Sequence, residues 1–217
     1  FFDPAKLHML NHKGEHFAVR GPLMMRRSPQ GRPVVVQAGQ SEAGRALAAA
    51  TAEVIFTVQQ ELGAAQDFYA DIKKRAAALG RKPEHILIMP GVLAVVGKTR
   101  REAEAKFEKL QALIHPELGV ATLSDMVGMD LSAYPLDGPL PEVPLSNTQQ
   151  GRQRIVIDLA RHEGLTIRQL YQRVSGARAH RILFGTAAEI ADSLELWYRS
   201  GAADGFNIMS LTFPGGL

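Results

Sequence analysis

The sequence predicts an α/β protein built on a parallel sheet. Two observations carry this. Short apolar runs at Val34 to Ala38, Glu53 to Val58, His85 to Met89 and Asp204 to Ser210 read as four strands. Stretches with helical spacing lie between them, so each crossover is long enough to be right-handed and neighbouring strands should be parallel. Repeats of this kind build an open doubly wound sheet or a (β/α)8 barrel, and four units would be half a barrel.

Residues 1–32 form a turn-rich lead-in. Asn11 to Glu15 separates short apolar pieces, and His16 to Arg20 alternates as a hairpin strand does. Pro22, Pro29, Gly31 and Pro33 keep the chain irregular up to the first strong strand. Residues 33–115 hold the first β/α units. The helix that opens at Ser41 runs to about Ala52. A second, from Gln60 to Leu79, carries Leu62, Phe68, Ile72 and Leu79 on one stripe, and Gly80 stops it. Pro90-Gly91 is expected to break the third strand, with Met89 to Gly91 at its rim and Val92 to Val96 resuming the apolar run. Thr99-x-x-Glu102 is a capping box, and the helix it opens carries Ala103, Phe107, Leu110 and Ile114 until His115-Pro116 ends it. Residues 116–180 read as an insertion. The stretch to Asn147 is rich in Pro and Gly and poor in periodicity, and short helices follow at Gln149 to Glu163 and Thr166 to Val174. In the last unit, 181–217, Gly185-Thr186 caps a helix over Ala187 to Ser200, which Gly201 closes.

Composition excludes several classes. There is no Cys among the 217 residues, so disulfide frameworks, zinc ribbons and thiolate catalysis are out. No apolar stretch approaches a membrane span, and no signal peptide is visible, so a cytoplasmic location is expected. Net charge is only +3, and the cluster Arg20, Arg26, Arg27 and Arg32 lacks interleaved aromatics, so no nucleic-acid partner is expected. His8, His12 and His16 are four apart, but Gly14 interrupts them, and no metal site is expected. The chain starts at Phe1 without Met and stops at Leu217 soon after an apolar run, which leads us to expect a piece of a longer protein.

The run Val34 to Gly44 carries the strongest functional signal. A β-branched strand stops at a small-residue turn, and Ser41 stands at a helix start. The first turn of such a helix has unpaired N–H groups and the positive end of the dipole, so it suits a phosphate. It equally suits an ordinary N-cap. Gly39 to Ala46 reads G-x-x-x-x-G-R-A, which resembles a P-loop. Arg45 and Ala46 stand where Lys and the metal-binding hydroxyl would be, which argues against nucleotide hydrolysis.

Several motifs occur in a fixed order: Gln37-Ala-Gly-x-Ser-x-x-Gly44, Ala-x-x-Ala-Glu53-Val-Ile-Phe-Thr57, Ile88-Met-Pro-Gly91, Gly185-Thr186 and Asp204-Gly-Phe-Asn-Ile208. Phe17-x-Val-Arg-Gly-Pro22 and Arg27-Ser-Pro-Gln-Gly-Arg-Pro33 precede them. Together they resemble the C-terminal half of a bacterial-luciferase-like flavin monooxygenase. The branch is that of nitrilotriacetate monooxygenase component A and dibenzothiophene-sulfone monooxygenase. The resemblance implies an α/β fold, the C-terminal half of a TIM-like (β/α)8 barrel with a long insertion. It implies reduced FMN from a separate flavin reductase, O2 and a small organic substrate, and a homo-oligomer. It places the FMN phosphate on the turn Ala38, Gly39, Gln40 and Ser41. Ser41 would give the hydroxyl, and the Gln40 N–H stands in for a Ser often found at that position. Catalytic residues are expected in the other half, so none is assigned here, and this half alone is expected to be inactive. A deazaflavin-dependent oxidoreductase of the same superfamily and a non-catalytic phosphate-binding barrel are the alternatives.

Overall fold

The computed structural model describes residues 3–22, 25–144 and 150–212. Gln149 and Pro214 to Leu217, on which the sequence raised expectations, lie outside them. The chain divides into two units, 1–34 and 35–217. The first holds an antiparallel pair, β1 (His12–Lys13) and β2 (Ala18–Val19), with Lys13 opposite Ala18.

The second unit is a five-stranded parallel sheet with its helices. Its strands are β3 (Val36–Gln37), β4 (Val54–Thr57), β5 (Leu87–Val96), β6 (Arg181–Gly185) and β7 (Asn207–Met209). They run in the order β3-β4-β5-β6, and β7 also pairs with β5. Among the described residues seven α-helices accompany them: α1 (Glu42–Thr51), α2 (Leu62–Ala78), α3 (Arg100–Gln111), α4 (Pro116–Val127), α5 (Gln150–Glu163), α6 (Ile167–Ala177) and α7 (Ala187–Arg199).

Three expectations need correction. First, the sheet has five strands, not four. The missed strand, β6, shows only three apolar residues, Ile182 to Phe184, between two helices, which is too short a run to stand out. Second, Pro90 and Gly91 do not break a strand or stand at its rim. They lie inside the continuous β5. The partners change there. Residues 87–90 pair with β4, whereas 91–93 pair with β7 and 92–96 with β6. Pro90 lacks an N–H, and it sits at the last pairing with β4. Third, the segment after Pro116 is not aperiodic. Pro116 occupies the first turn of α4, where its missing N–H costs nothing, and Gly128 closes the helix at φ 69°. Val120, Leu123, Met126 and Val127 form its buried stripe.

Side-chain alternation assigns the faces of the sheet. Ile55 and Ile88 pack with Ala48 and Ala52 beside α1 and Phe68 and Ile72 of α2. Leu79, expected on that stripe, is 58% exposed. Val92 and Leu183 pack against Ile190 of α7. Leu93 and Val95 pack against Ala103 and Phe107 of α3. Helices α4, α5 and α6 form their own layer around Leu123, Val156, Leu170 and Tyr171, and it reaches the sheet at Val58.

Helix ends follow their local chemistry. Ser41, Thr99, Thr166 and Thr186 each accept a backbone N–H of the first turn, and the last two complete capping boxes. Gly201 follows α7 at φ 70°. Arg81 donates to the Ala49 and Ala52 carbonyls, both at 2.6 Å, and so holds the C-terminal end of α1.

Candidate functional site

In a parallel β/α sheet, ligand sites form where the strands end at their C-termini. Here that end is built from the turn 38–41 after β3, residues 58–60 after β4, and the level of Gly91 in β5.

The turn is shaped by two glycines. A Cβ on Gly44 would fall 2.8 Å from the Gly39 carbonyl carbon, and a Cβ on Gly39 would fall 2.5 Å from Gln37 Nε2. Only residues without side chains let the two backbones approach this closely. Gly39 N donates to Gln37 Oε1 at 2.8 Å, and Gln40 Nε2 donates to the Val58 carbonyl at 3.1 Å. The Ser41 hydroxyl accepts the Gly44 N–H at 3.2 Å, which leaves its own proton available. The N–H groups of Gln40, Ser41, Glu42 and Ala43 have no protein acceptor among the described residues. Ala38 and Ser41 are exposed, and Gly39 and Gln40 are half-buried. The turn therefore carries four backbone donors without a protein acceptor at a helix start.

Charges around the turn are tied elsewhere. Arg45, at the lysine place of the P-loop resemblance, donates to the Gln40 carbonyl and to Asp71 Oδ2, both at 3.0 Å. Glu42 is held by Arg75, whose hydrogen bonds keep its carboxyl below the usual range. Burial works against the Asp71 charge, but hydrogen bonds from Arg75 and Arg45 outweigh it and lower that carboxyl too. The carboxylate nearest in sequence to the donors is thus neutralised.

A titratable group that the sequence reading did not bring to the site is His180, which is 4% exposed. It stacks on Phe56, with ring centroids 4.9 Å apart. A Cβ on Gly91 would fall 2.4 Å from His180 Nδ1, so only Gly91 leaves room for the ring. Burial first, and the Arg152 charge second, push its pKa down to about 4. No local pattern marks this residue, because Gly91 and Phe56, against which the ring packs, are 89 or more positions away. Asp204 lies at the opposite end, on the N-terminal side of β7, tied to Lys73, Tyr69 and the Ile88 backbone. The Ser210 hydroxyl donates to the Thr212 carbonyl at 2.7 Å. Trp197 is buried under Arg181, whereas Tyr198 is 61% exposed. A separate open groove of about 720 Å³ runs along α4 and the loop to Leu136, and none of its lining residues belongs to the turn. Among the described residues no group of His, Asp or Glu has the makings of a metal site, and no helix is long and apolar enough to cross a membrane.

The sequence profile of the luciferase-like monooxygenases matches residues 7–204. N-acetyl-S-(2-succino)cysteine monooxygenase of Bacillus subtilis (strain 168) is 50% identical over 220 residues, covering 100% of this chain and 50% of the relative. Nitrilotriacetate monooxygenase component A of Aminobacter aminovorans is 52% identical over 211 residues, covering 96% of this chain and 47% of the relative. Among solved structures, riboflavin lyase (RcaE) with modified FMN and substrate riboflavin superposes with a TM-score of 0.79 at 30% identity, over 99% of this chain and 46% of that one. The chain spans about half the length of the curated relatives it matches.

Proposed function

The chain belongs to the luciferase-like monooxygenase family, and from that premise we propose that it is the C-terminal half of the (β/α)8 barrel of a two-component, FMN-dependent monooxygenase. The observation that carries the reading is the donor array of Gln40, Ser41, Glu42 and Ala43 at the C-terminal end of β3. The cradle fits a phosphate. Its glycines admit no side chain, its N–H groups lie at a helix start without protein acceptors, and the Ser41 proton is uncommitted.

In this reading Ser41 and the four N–H groups hold the FMN phosphate, with Ala38 and Gly39 forming the wall of the turn. Arg45 keeps the turn in shape through the Gln40 carbonyl. Bound reduced flavin supplies the activation of O2, and the protein supplies position and exclusion of water. A partner flavin reductase delivers the reduced cofactor, in keeping with a relative named as a component A. A cytoplasmic location belongs to the same reading. The substrate is a small organic molecule. The two relatives named above carry carboxylate-bearing substrates in their names, and we take that class as the first to test. Residues 1–32 form the lead-in, 33–115 and 181–217 the β/α units, and 116–180 an elaboration for substrate selection or for contacts in a homo-oligomer. The high-identity relatives are monooxygenases, which favours this reading over a deazaflavin enzyme or a non-catalytic homologue.

The test is FMN affinity of the intact protein carrying Ser41→Asp. Asp is as good an N-cap as Ser, so α1 is retained, while its carboxylate repels a phosphate. Binding should fall by at least tenfold, since a charge-assisted hydrogen bond is worth about 1.5–3 kcal/mol. Unchanged FMN affinity with unchanged stability rejects the site.

A further inference from the structure

Near the Ser41 turn, among the described residues, Arg152 has no hydrogen bond or ion pair and His180 Nδ1 is buried without a partner. Helix α5 opens against the turn: a Cβ on Gly151 would lie 3.8 Å from Gln40 Cβ. Arg152, the next residue, is half-buried and has no hydrogen bond or ion pair among the described residues. Its charge acts on His180, and no carboxylate does. Of the acids around the turn, Glu42 is engaged with Arg75 and Asp71 with Arg45 and Arg75, while Glu61 acts on Arg181. Helix α5 thus brings a half-buried cation, with no ion pair among the described residues, to the neighbourhood of the N–H donors, a positive region that an anion would complete.

His180 is placed with some strain. Arg178 and Ala179, both non-glycine, adopt left-handed φ values of 47° and 64° just before it. The Ala179 carbonyl is fixed by Gln60 Nε2 at 2.6 Å. The edge of the ring that bears Nδ1 lies against Gly91, and of the two ring nitrogens only Nδ1 is sealed without a partner. An orphan N–H is the rarer kind of buried defect, so the proton belongs on Nε2, the nitrogen on the far edge. The turn and the imidazole are linked through the end of β4: Gln40 Nε2 donates to the Val58 carbonyl, Gln60 Nε2 holds the Ala179 carbonyl, and Phe56 stacks on the ring. The imidazole is therefore a fixed neutral donor on the same side of the sheet end as the turn.

We propose that Arg152 and His180 form an oxyanion subsite adjoining the Ser41 turn, filled by the flavin phosphate or by a substrate carboxylate. Arg152 supplies the charge and His180 one oriented N–H donor. The assignment rests on the reading of the turn as the flavin site, and its test separates the two.

The experiment is calorimetric titration of the intact protein with FMN, with riboflavin, which lacks the phosphate, and with citrate as a polycarboxylate probe. Wild type is compared with Arg152→Gln, Arg152→Lys, His180→Phe and His180→Gln, each checked for a native thermal transition. Arg152→Gln should weaken FMN or citrate by about tenfold or more and leave riboflavin unchanged, and Arg152→Lys should recover part of the loss. His180→Phe keeps the stacking and loses the donor, so it should weaken the same anion severalfold, and His180→Gln should restore most of it. A loss confined to FMN identifies the phosphate, and a loss confined to citrate identifies a carboxylate. Arg152→Gln binding both anions as wild type does would overturn the subsite, and an unaltered His180→Phe would remove His180 from it. Wild type that binds citrate through Arg152 but binds no FMN rejects the flavin reading and leaves the subsite standing. Wild type that binds neither anion rejects both.

Discussion

Lys73 and Asp204 form an ion pair, Nζ to Oδ2 at 2.9 Å, that ties α2 to the entrance of β7 across 131 positions of sequence. Both side chains are largely buried, at 14% and 18% exposure. Asp204 Oδ2 also accepts the Ile88 N–H at 2.8 Å, and its Oδ1 accepts the Tyr69 hydroxyl at 2.8 Å. Lys73 further donates to the Pro83 carbonyl at 3.0 Å. The pair closes the N-terminal side of the sheet, away from the Ser41 turn. Its role is stability rather than chemistry. Burial and the Asp204 carboxylate together push the Tyr69 hydroxyl up to about 12.

Removing one partner should therefore cost more than removing both. Lys73→Met leaves Asp204 charged and short of a donor, and should destabilise the chain by about 3 kcal/mol. The double variant with Asp204→Asn should recover part of that loss. Urea denaturation of the intact protein, with an unchanged m value, is the measurement. Equal midpoints for Lys73→Met and wild type would show that the pair contributes nothing.

His180 should make the fold sensitive to mild acid. Its pKa lies near 4 in the folded chain, against 6.5 for a free imidazole. The folded state therefore resists protonation that the unfolded state accepts. Between those values the unfolded chain binds more protons, so stability falls as pH is lowered from about 6.5 to 4. The full loss is roughly 3 kcal/mol. His180→Phe should flatten the profile in that window, and the same slope in both proteins would contradict it.

Gly91 should be intolerant although it lies in a strand, where Ala normally costs nothing. A Cβ there would fall 2.4 Å from His180 Nδ1 and 2.7 Å from Cε1. Gly91→Ala should cost about 1–3 kcal/mol by overpacking. Combining it with His180→Ala should cost less than the sum of the two changes. Additive losses in that cycle would mean that the two positions do not touch.

Gly44→Ala separates helix propensity from site shape. Ala favours a helix over Gly by about 1 kcal/mol. At this position the new Cβ would meet the Gly39 backbone at 2.8 to 3.0 Å, so the turn must open. The variant should lose stability and lose FMN affinity by tenfold or more. A stabilised protein with normal FMN affinity would show that the turn has slack.

Local signals sufficed wherever the cause was local. Alternation of apolar runs with helical spacing gave the parallel β/α order. Ser41, Thr99 and Thr186 marked helix starts, because a capping hydroxyl needs only the N–H groups two or three residues ahead. The order of motifs identified the family. The stripe Val120, Leu123, Met126 and Val127 was also legible, and was hidden only by reading Pro116 as a stop instead of a first helical residue.

What the tertiary structure alone decided was every relation between distant parts of the chain. The continuity of β5 through Pro90 and Gly91 depends on β4, β6 and β7 taking over from one another along its length. The pairing of Lys73 with Asp204 depends on how α2 lies over the sheet. The packing of His180 on Phe56 and Gly91, and of Gly151 against Gln40, depends on strand register and on how α5 lies against the sheet. Backbone propensity and capping act over a few residues and leave a pattern in the text. Strand register and helix docking are set by burial of side chains summed over the whole core, and no short stretch of sequence records that sum.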